Sequence, residues 1–221
     1  MFFAKHLSAY AFMRPRVVGK RVLELGFGDG YGTAYLAEQA QEVAGVDTAP
    51  GNIPLAQAKY RLGNVSFELF DGLHLPFPDA SFDAAGTFQV IEHVPEDQLV
   101  LWLAEIRRVL KREGALYVST LNLEQAQKPG GNYEKHPEHQ KEFTGPELEA
   151  LLKEIFPKVT LYGLYLTPKH QLLLRVKKWG LHKLFGATDQ WYFDQIGVED
   201  FAVRAPSSAG ALDLIAVCQK E

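Results

Sequence analysis

RVLELGFGDGYGTAYLA, residues Arg21 to Ala37, decides the fold. The apolar residues Val22, Leu23 and Leu25 lead into Gly26-Phe27-Gly28-Asp29-Gly30, after which the spacing becomes helical. That order predicts a buried strand, a glycine turn and a helix N-terminus. Glycine admits positive φ and lets a ligand approach where a Cβ would stand. The helix start adds unpaired N–H groups and a positive dipole end. Such a turn suits a nucleotide or nucleoside, although glycine-rich strand-to-helix turns also occur for structural reasons alone.

The glycine spacing separates cofactor classes. A dinucleotide fingerprint requires G-x-G-x-x-G. Here Gly26, Gly28 and Gly30 give G-x-G-x-G, and Thr33 falls where a further spaced glycine would sit. Glu24 precedes the first glycine by two residues; a carboxylate there disfavours an anionic ligand and tolerates a cationic one. Asp47 closes a second apolar run, Glu42 to Val46, and is followed by Thr48. A carboxylate at that strand end can accept both ribose hydroxyls of a nucleoside, the alternative being a solvated cap. Asp71, followed by Gly72, closes a third run and can accept an adenine amino proton or simply make an Asp-Gly turn.

Farther along, strand-like and helix-like segments alternate. Helices are expected over about 31–40, 51–60, 98–110 and 144–154, and strands over 65–70, 81–88, 115–120, 159–166 and 211–218. In the helix from Gln98, Leu99, Leu103, Ile106 and Leu110 share one face. Thr144 and Glu147 stand at capping-box spacing. Alternation of this kind implies a parallel sheet with helices on both faces. Residues 121 to 143 read as a polar loop holding Pro129-Gly130-Gly131, His136 and His139. An insertion over about 167–210 separates the last two strands. Its first half carries Lys169, Arg175, Lys177, Lys178 and Lys183 without an acid, and its second half Asp189, Asp194, Glu199 and Asp200. Three readings suit the basic half: a lid over the site, an amphipathic helix on a membrane surface or acidic partner, or a solvated face packed by Leu172, Leu173, Val176 and Leu184, which is the default.

Composition bounds the class. The 221 residues are 47% hydrophobic with a net charge of −4, enough for one domain and giving no general pull toward nucleic acid. No apolar run reaches membrane-span length, and the N-terminus lacks a secretory pattern. The lone Cys218 reads as a core thiol, which fits a reducing cytoplasm.

In order, these stretches resemble class I S-adenosylmethionine-dependent methyltransferases. ELGFGDG resembles the family's acid-x-G-x-G-x-G motif, GVD its ribose motif, and FDGLHLPFPDASFDA its adenine and fourth-strand motifs. FQVIEHVPE and LAEIRRVLKREGAL resemble the end of the fourth strand and the helix and strand after it. NYEKHPEHQKEFTGPELEALL resembles a loop and helix of the ubiquinone-biosynthesis and polysaccharide-pathway subfamily. The match spans about residues 6 to 165. It departs at Phe27, where a small residue is usual, at Lys111 to Ala115, which lack the Pro-Gly-Gly turn, and at Ala9, where relatives often carry Arg.

The resemblance implies a single α/β domain over 1–221, with a Rossmann-like, seven-stranded, mostly parallel sheet, its last strand antiparallel, and a helical insertion before that strand. It implies S-adenosylmethionine as cofactor, held by Glu24, Gly26, Gly28, Gly30, Asp47, Thr48, Asp71 and Gly72, with Phe88 and Gln89 lining the methionine end. The expected reaction is in-line methyl transfer to a small-molecule acceptor, which chiefly requires positioning and exclusion of water. Where the acceptor must lose a proton, the base candidates are His93 and His139, with His136 behind them. Tyr10 either covers the cofactor or belongs to the core. No metal ligands, nucleic acid partner or stable membrane insertion are expected, and the oligomeric state is left open. The alternatives are a non-catalytic S-adenosylmethionine-binding regulator or scaffold and, more distantly, a nicotinamide dehydrogenase.

Overall fold

The computed structural model describes residues 2–127, 133–181, 183, 196–206 and 210–221. Strand β1 (Arg21–Leu25) stands at the centre of the sheet's parallel half. It pairs in parallel with β2 (Glu42–Asp47) on one side and β4 (Phe82–Phe88) on the other. β3 (Val65–Leu69) extends the sheet beyond β2, and β5 (Leu110–Leu121) pairs in parallel with β4. β8 (Asp213–Gln219) inserts antiparallel between β5 and β6 (Lys158–Leu166). The short β7 (Phe201–Arg204) adds an antiparallel edge strand to β6. The order is β3-β2-β1-β4-β5-β8-β6-β7, so the sheet has eight strands rather than the expected seven. The extra strand is FAVR, which pairs on one side only and is too short to show a period of two.

Strand alternation assigns the two faces. Leu23 and Leu25 of β1, Ala44 and Val46 of β2, and Leu116 and Val118 of β5 pack under α4 (Leu99–Val109) and α6 (Gly145–Ile155). Val22, Val43, Ala84 and Tyr117 face the other way, under α1 (Phe2–Met13) and α2 (Tyr31–Ala37). α3 (Asn52–Lys59) closes a smaller cluster in which Ala56 meets Phe27 and Phe67. Phe27 thus fills space between the turn and β3, its ring 4.8 Å from that of Phe67. The Thr144–Glu147 capping box forms as expected. Cys218 is buried among apolar residues, and burial pushes its thiol up to about 12.

Two expected assignments shift locally. The strand expected from residue 115 begins at Leu110, with Lys111 paired to Asp83 and Arg112 to Glu221. The polar loop after β5 contains a short helix, α5 (Leu123–Ala126), capped by Asn122. Pro129-Gly130-Gly131 lies outside the described residues.

The insertion begins as α7 (Pro168–Lys178). Among the described residues of this helix, Leu173 and Val176 are half-buried while Leu172 and Leu174 are exposed, so Leu172 does not share the face that Leu173 and Val176 turn inward. Leu184, Asp189, Asp194 and the aromatic run Trp191-Tyr192-Phe193 lie outside the described residues. Among the described residues, no helix is long and apolar enough to cross a membrane.

Candidate functional site

In a mostly parallel sheet, ligands bind beyond the carboxyl ends of the strands. A cavity of about 290 Å³ opens there, lined among others by Gly26, Asp47, Thr48, Asp71, Gly72 and His93. These come from the turns after β1, β2, β3 and β4, which sequence separates and the parallel register brings to one edge. Its volume is near the low end of the roughly 300–1,000 Å³ typical of ligand sites.

The turn after β1 is built for close approach. Gly26, Gly28 and Gly30 have φ of 76°, 59° and 87°. A Cβ on Gly26 would lie 2.5 Å from Val90 Cγ2, so this position needs glycine both for its φ and for its neighbour. Gly28 donates its N–H to Asp47 Oδ2 at 2.9 Å, which ties the turn to the end of β2. Ala49 N–H donates to the other carboxylate oxygen at 2.9 Å. Asp47 is 7% exposed and fixed in orientation while still bordering the cavity. Gly30 caps α2 and packs close to Ala56 and Phe67.

Asp71 belongs to a tighter local structure than its proposed adenine contact requires. It accepts the N–H groups of His74 (2.6 Å) and Leu73 (2.8 Å) and meets His74 Nδ1 at 2.8 Å. Those backbone donors, then the imidazole, hold its carboxyl down at about 2. The Asp-Gly turn is real, and its residues still line the cavity.

Glu24 and Phe88 depart from the sequence expectation. Alternation places Glu24 with Val22 on the α1–α2 face, where it is fully buried. Tyr10 Oη donates to Glu24 Oε1 at 2.6 Å, and the Thr33 hydroxyl donates to the other oxygen. Burial raises the Glu24 carboxyl to about 7 against the opposing hydrogen bonds from Thr33 and Tyr10. Tyr10 is therefore a core residue. A Cβ on Gly32 would lie 2.1 Å from its ring, so α2 needs glycine there to admit it. Phe88 packs against Tyr10, with ring centroids 4.3 Å apart, and is not among the cavity-lining residues. Its neighbour Gln89 has a left-handed backbone (φ 58°), anchored by an N–H bond to Ser119 O at 2.9 Å. That strained residue follows β4 and precedes Val90 of the cavity wall, without itself being among the lining residues.

The histidines form a cluster. His93 follows β4 in a short 3-10 turn (Ile91–His93). His139 comes from the loop before α6, and the two rings meet edge-on with centroids 4.8 Å apart. His136 stacks obliquely on His139 at 4.9 Å. His139 Nδ1 lies 2.5 Å from Glu142 Oε1. Burial, and then the neighbouring His93 and His136, depress the His139 pKa, so this imidazole favours its neutral form.

Sequence reasoning missed several residues here. Glu92 is 1% exposed, accepts the Thr120 hydroxyl at 3.0 Å and is raised to about 7 by burial. Trp102, Gln98 and Val94 also line the cavity. Asp213 starts β8 beside Lys5, whose Nζ is 2.8 Å from its carboxylate. A lone acid inside the apolar run VIEHV was the available signal for Glu92; nothing local marks Asp213.

Comparison with known proteins agrees with this geometry. Residues 23–118 match the methyltransferase-domain family model. A Mycobacterium tuberculosis protein named "Probable S-adenosylmethionine-dependent methyltransferase" is 34% identical over 169 residues, covering 76% of this chain and 60% of its own length. A ubiquinone biosynthesis O-methyltransferase of Azorhizobium caulinodans is 34% identical over 112 residues, 50% of this chain and 43% of that one. The chain thus spans less than two thirds of the curated relatives it matches. In fold it is similar to an S-adenosylmethionine-dependent methyltransferase from Thermotoga maritima, with a TM-score of 0.67 at 18% identity over 100% of this chain and 93% of that one. Residues 23–118 thus match a methyltransferase domain, and the chain is similar to S-adenosylmethionine-dependent methyltransferases in both sequence and fold.

Proposed function

We propose that this chain transfers a methyl group from S-adenosylmethionine to a small-molecule acceptor by in-line displacement. The observation that carries the reading is the Asp47 carboxylate, pinned by two backbone N–H groups at the edge of the cavity. Pinned this way, it presents fixed acceptors for a pair of ribose hydroxyls, with Thr48 beside it. Asp71 and Gly72 border the adenine end, and the Gly26 and Gly28 backbone the methionine end. The cofactor supplies an electrophilic methyl on sulfur. The chain's own work is to hold the acceptor in line and keep water out.

His93 and His139 are assigned to the acceptor's proton, because His93 lines the cavity and His139 meets its ring. The 167–210 insertion is assigned to the acceptor wall. It springs from the end of β6, which runs parallel to β5 and so ends at the cavity edge of the sheet. A cytoplasmic location suits the buried free thiol of Cys218.

The test is incubation with methyl-labelled S-adenosylmethionine and a panel of small hydroxyl, amine and carbon acceptors. Label is expected to move into one acceptor class, and His139→Ala is expected to slow that transfer by about 10²–10⁴ with S-adenosylhomocysteine affinity retained. Cofactor binding without transfer to any acceptor would favour the regulator or scaffold reading.

A further inference from the structure

We propose that Glu92, His93 and His139 form a binding site for a divalent transition-metal ion at the acceptor end of the cavity. The inference rests on the methyl-transfer reading for its purpose but not for its geometry. One potential ligand atom from each residue lies within 4.8 Å of the others. Two imidazoles and one carboxylate suit zinc, iron or manganese, whereas magnesium and calcium favour oxygen donors.

Each of the three side chains has a partner that orients it as metal ligands are oriented. His93 Nδ1 lies 3.2 Å from the Glu138 carbonyl, and His139 Nδ1 lies 2.5 Å from the Glu142 carboxylate. Both acceptors hold the ring proton on Nδ1, which leaves the Nε2 lone pairs for a cation. The Thr120 hydroxyl donates to one oxygen of Glu92 at 3.0 Å and fixes the carboxylate's orientation. The two segments are joined by backbone as well. Gln140 N–H donates to Glu92 O at 2.7 Å, and Lys141 N–H donates to the same carbonyl at 3.2 Å. The loop around Gln140 is thereby fixed against the turn after β4, with the donors between them. A cation there also compensates the charge of a carboxylate that is 1% exposed.

Three protein ligands leave open positions for a small molecule, and His93 belongs to the cavity wall through which one would enter. The acceptor implied is one that presents a hydroxyl. With the ion bound, His93 and His139 act on the acceptor's proton through it: the cation lowers the hydroxyl's pKa, and the proton passes to solvent rather than to an imidazole. The oxygen then bonds to the methyl carbon as the carbon–sulfur bond breaks, giving an ether and a neutral thioether.

Titration of the full, untagged, chelator-treated chain with Co²⁺, read by visible absorption and displaced by Zn²⁺, tests the proposal. One equivalent is expected to bind. Glu142→Gln should weaken it by about 10–100-fold and His139→Ala by more. S-adenosylhomocysteine titration of each variant serves as the folding control. Absence of a stoichiometric site in a chain that binds S-adenosylhomocysteine overturns the metal and leaves the methyltransferase reading intact. Equal metal affinity in the wild type and both variants also overturns it, by placing the ion elsewhere. Metal binding in a chain that ignores S-adenosylhomocysteine keeps the metal site and removes the methyl-transfer reading.

Discussion

Asp47→Ala is expected to weaken S-adenosylmethionine binding by about 100-fold or more, close to 3 kcal/mol. The size follows from geometry. Each hydrogen bond from a ribose hydroxyl to an ionised carboxylate contributes about 1.5–3 kcal/mol, and a correctly placed carboxylate accepts two. Asp47 is already oriented by Gly28 and Ala49, so ligand binding has little ordering cost at this residue. Alanine also releases the Gly28 N–H that fixes the glycine turn. Asp47→Asn separates the two effects: it retains one acceptor oxygen and is expected to lose less affinity than the alanine variant. Calorimetry on both, with urea unfolding as a check on stability, measures the difference. Unchanged affinity in Asp47→Ala would contradict the ribose assignment.

The second large effect concerns stability and pH. Glu24 is raised in the folded chain to about 7 from an ordinary 4.5, chiefly by burial, with the carboxylates of Asp47 and Asp29 adding to the rise. A group whose pKa is higher folded than unfolded stabilises the fold fully below its unfolded pKa. That stability is lost as the pH climbs through the folded value. Between pH 5 and 8 the wild type should therefore lose about 2–3 kcal/mol through Glu24 alone. Glu24→Gln stays neutral throughout and can still accept from Tyr10 and donate to Thr33. Its stability relative to wild type is expected to rise by that amount over the same interval. Urea unfolding at four pH values checks this, and because other titrating groups are shared, they cancel in the difference. Parallel pH profiles for the two proteins would contradict the buried position of Glu24.

The two residues illustrate how far the sequence could be read. Asp47 was legible because its function depends on a short local pattern: an apolar run, an acid at its end, and a glycine turn roughly twenty residues earlier. Strand alternation alone puts Glu24 beside Val22 and away from Leu23 and Leu25. What it cannot supply is Tyr10, because the helix that brings it, FFAKHLSAYAFM, is apolar on nearly every side and shows no helical period. The same helix turned Phe88 into a packing residue against Tyr10 and Met13 rather than part of the cofactor wall.

Contacts between distant segments were the least legible. His93 and His139 stood out as titratable residues near a strand end and in a polar loop. Their meeting, and the inclusion of Glu92, depend on hydrogen bonds between segments far apart in sequence that leave no local pattern. The strand β7 was hidden for a different reason: four residues at a sheet edge carry too little periodicity to distinguish a strand from a loop. Phe27 looked like a departure at a position of usual small size. Its packing on Phe67 and Ala56 shows that the turn keeps its shape with the ring directed away from the cavity lining.

The most direct measurement is calorimetric titration of the wild-type chain with S-adenosylmethionine, S-adenosylhomocysteine and NAD. One site for each adenosyl ligand at micromolar affinity and no binding of NAD are expected, since the turn lacks the third spaced glycine of a dinucleotide site. Binding of NAD alone, or of none of the three, would contradict that expectation.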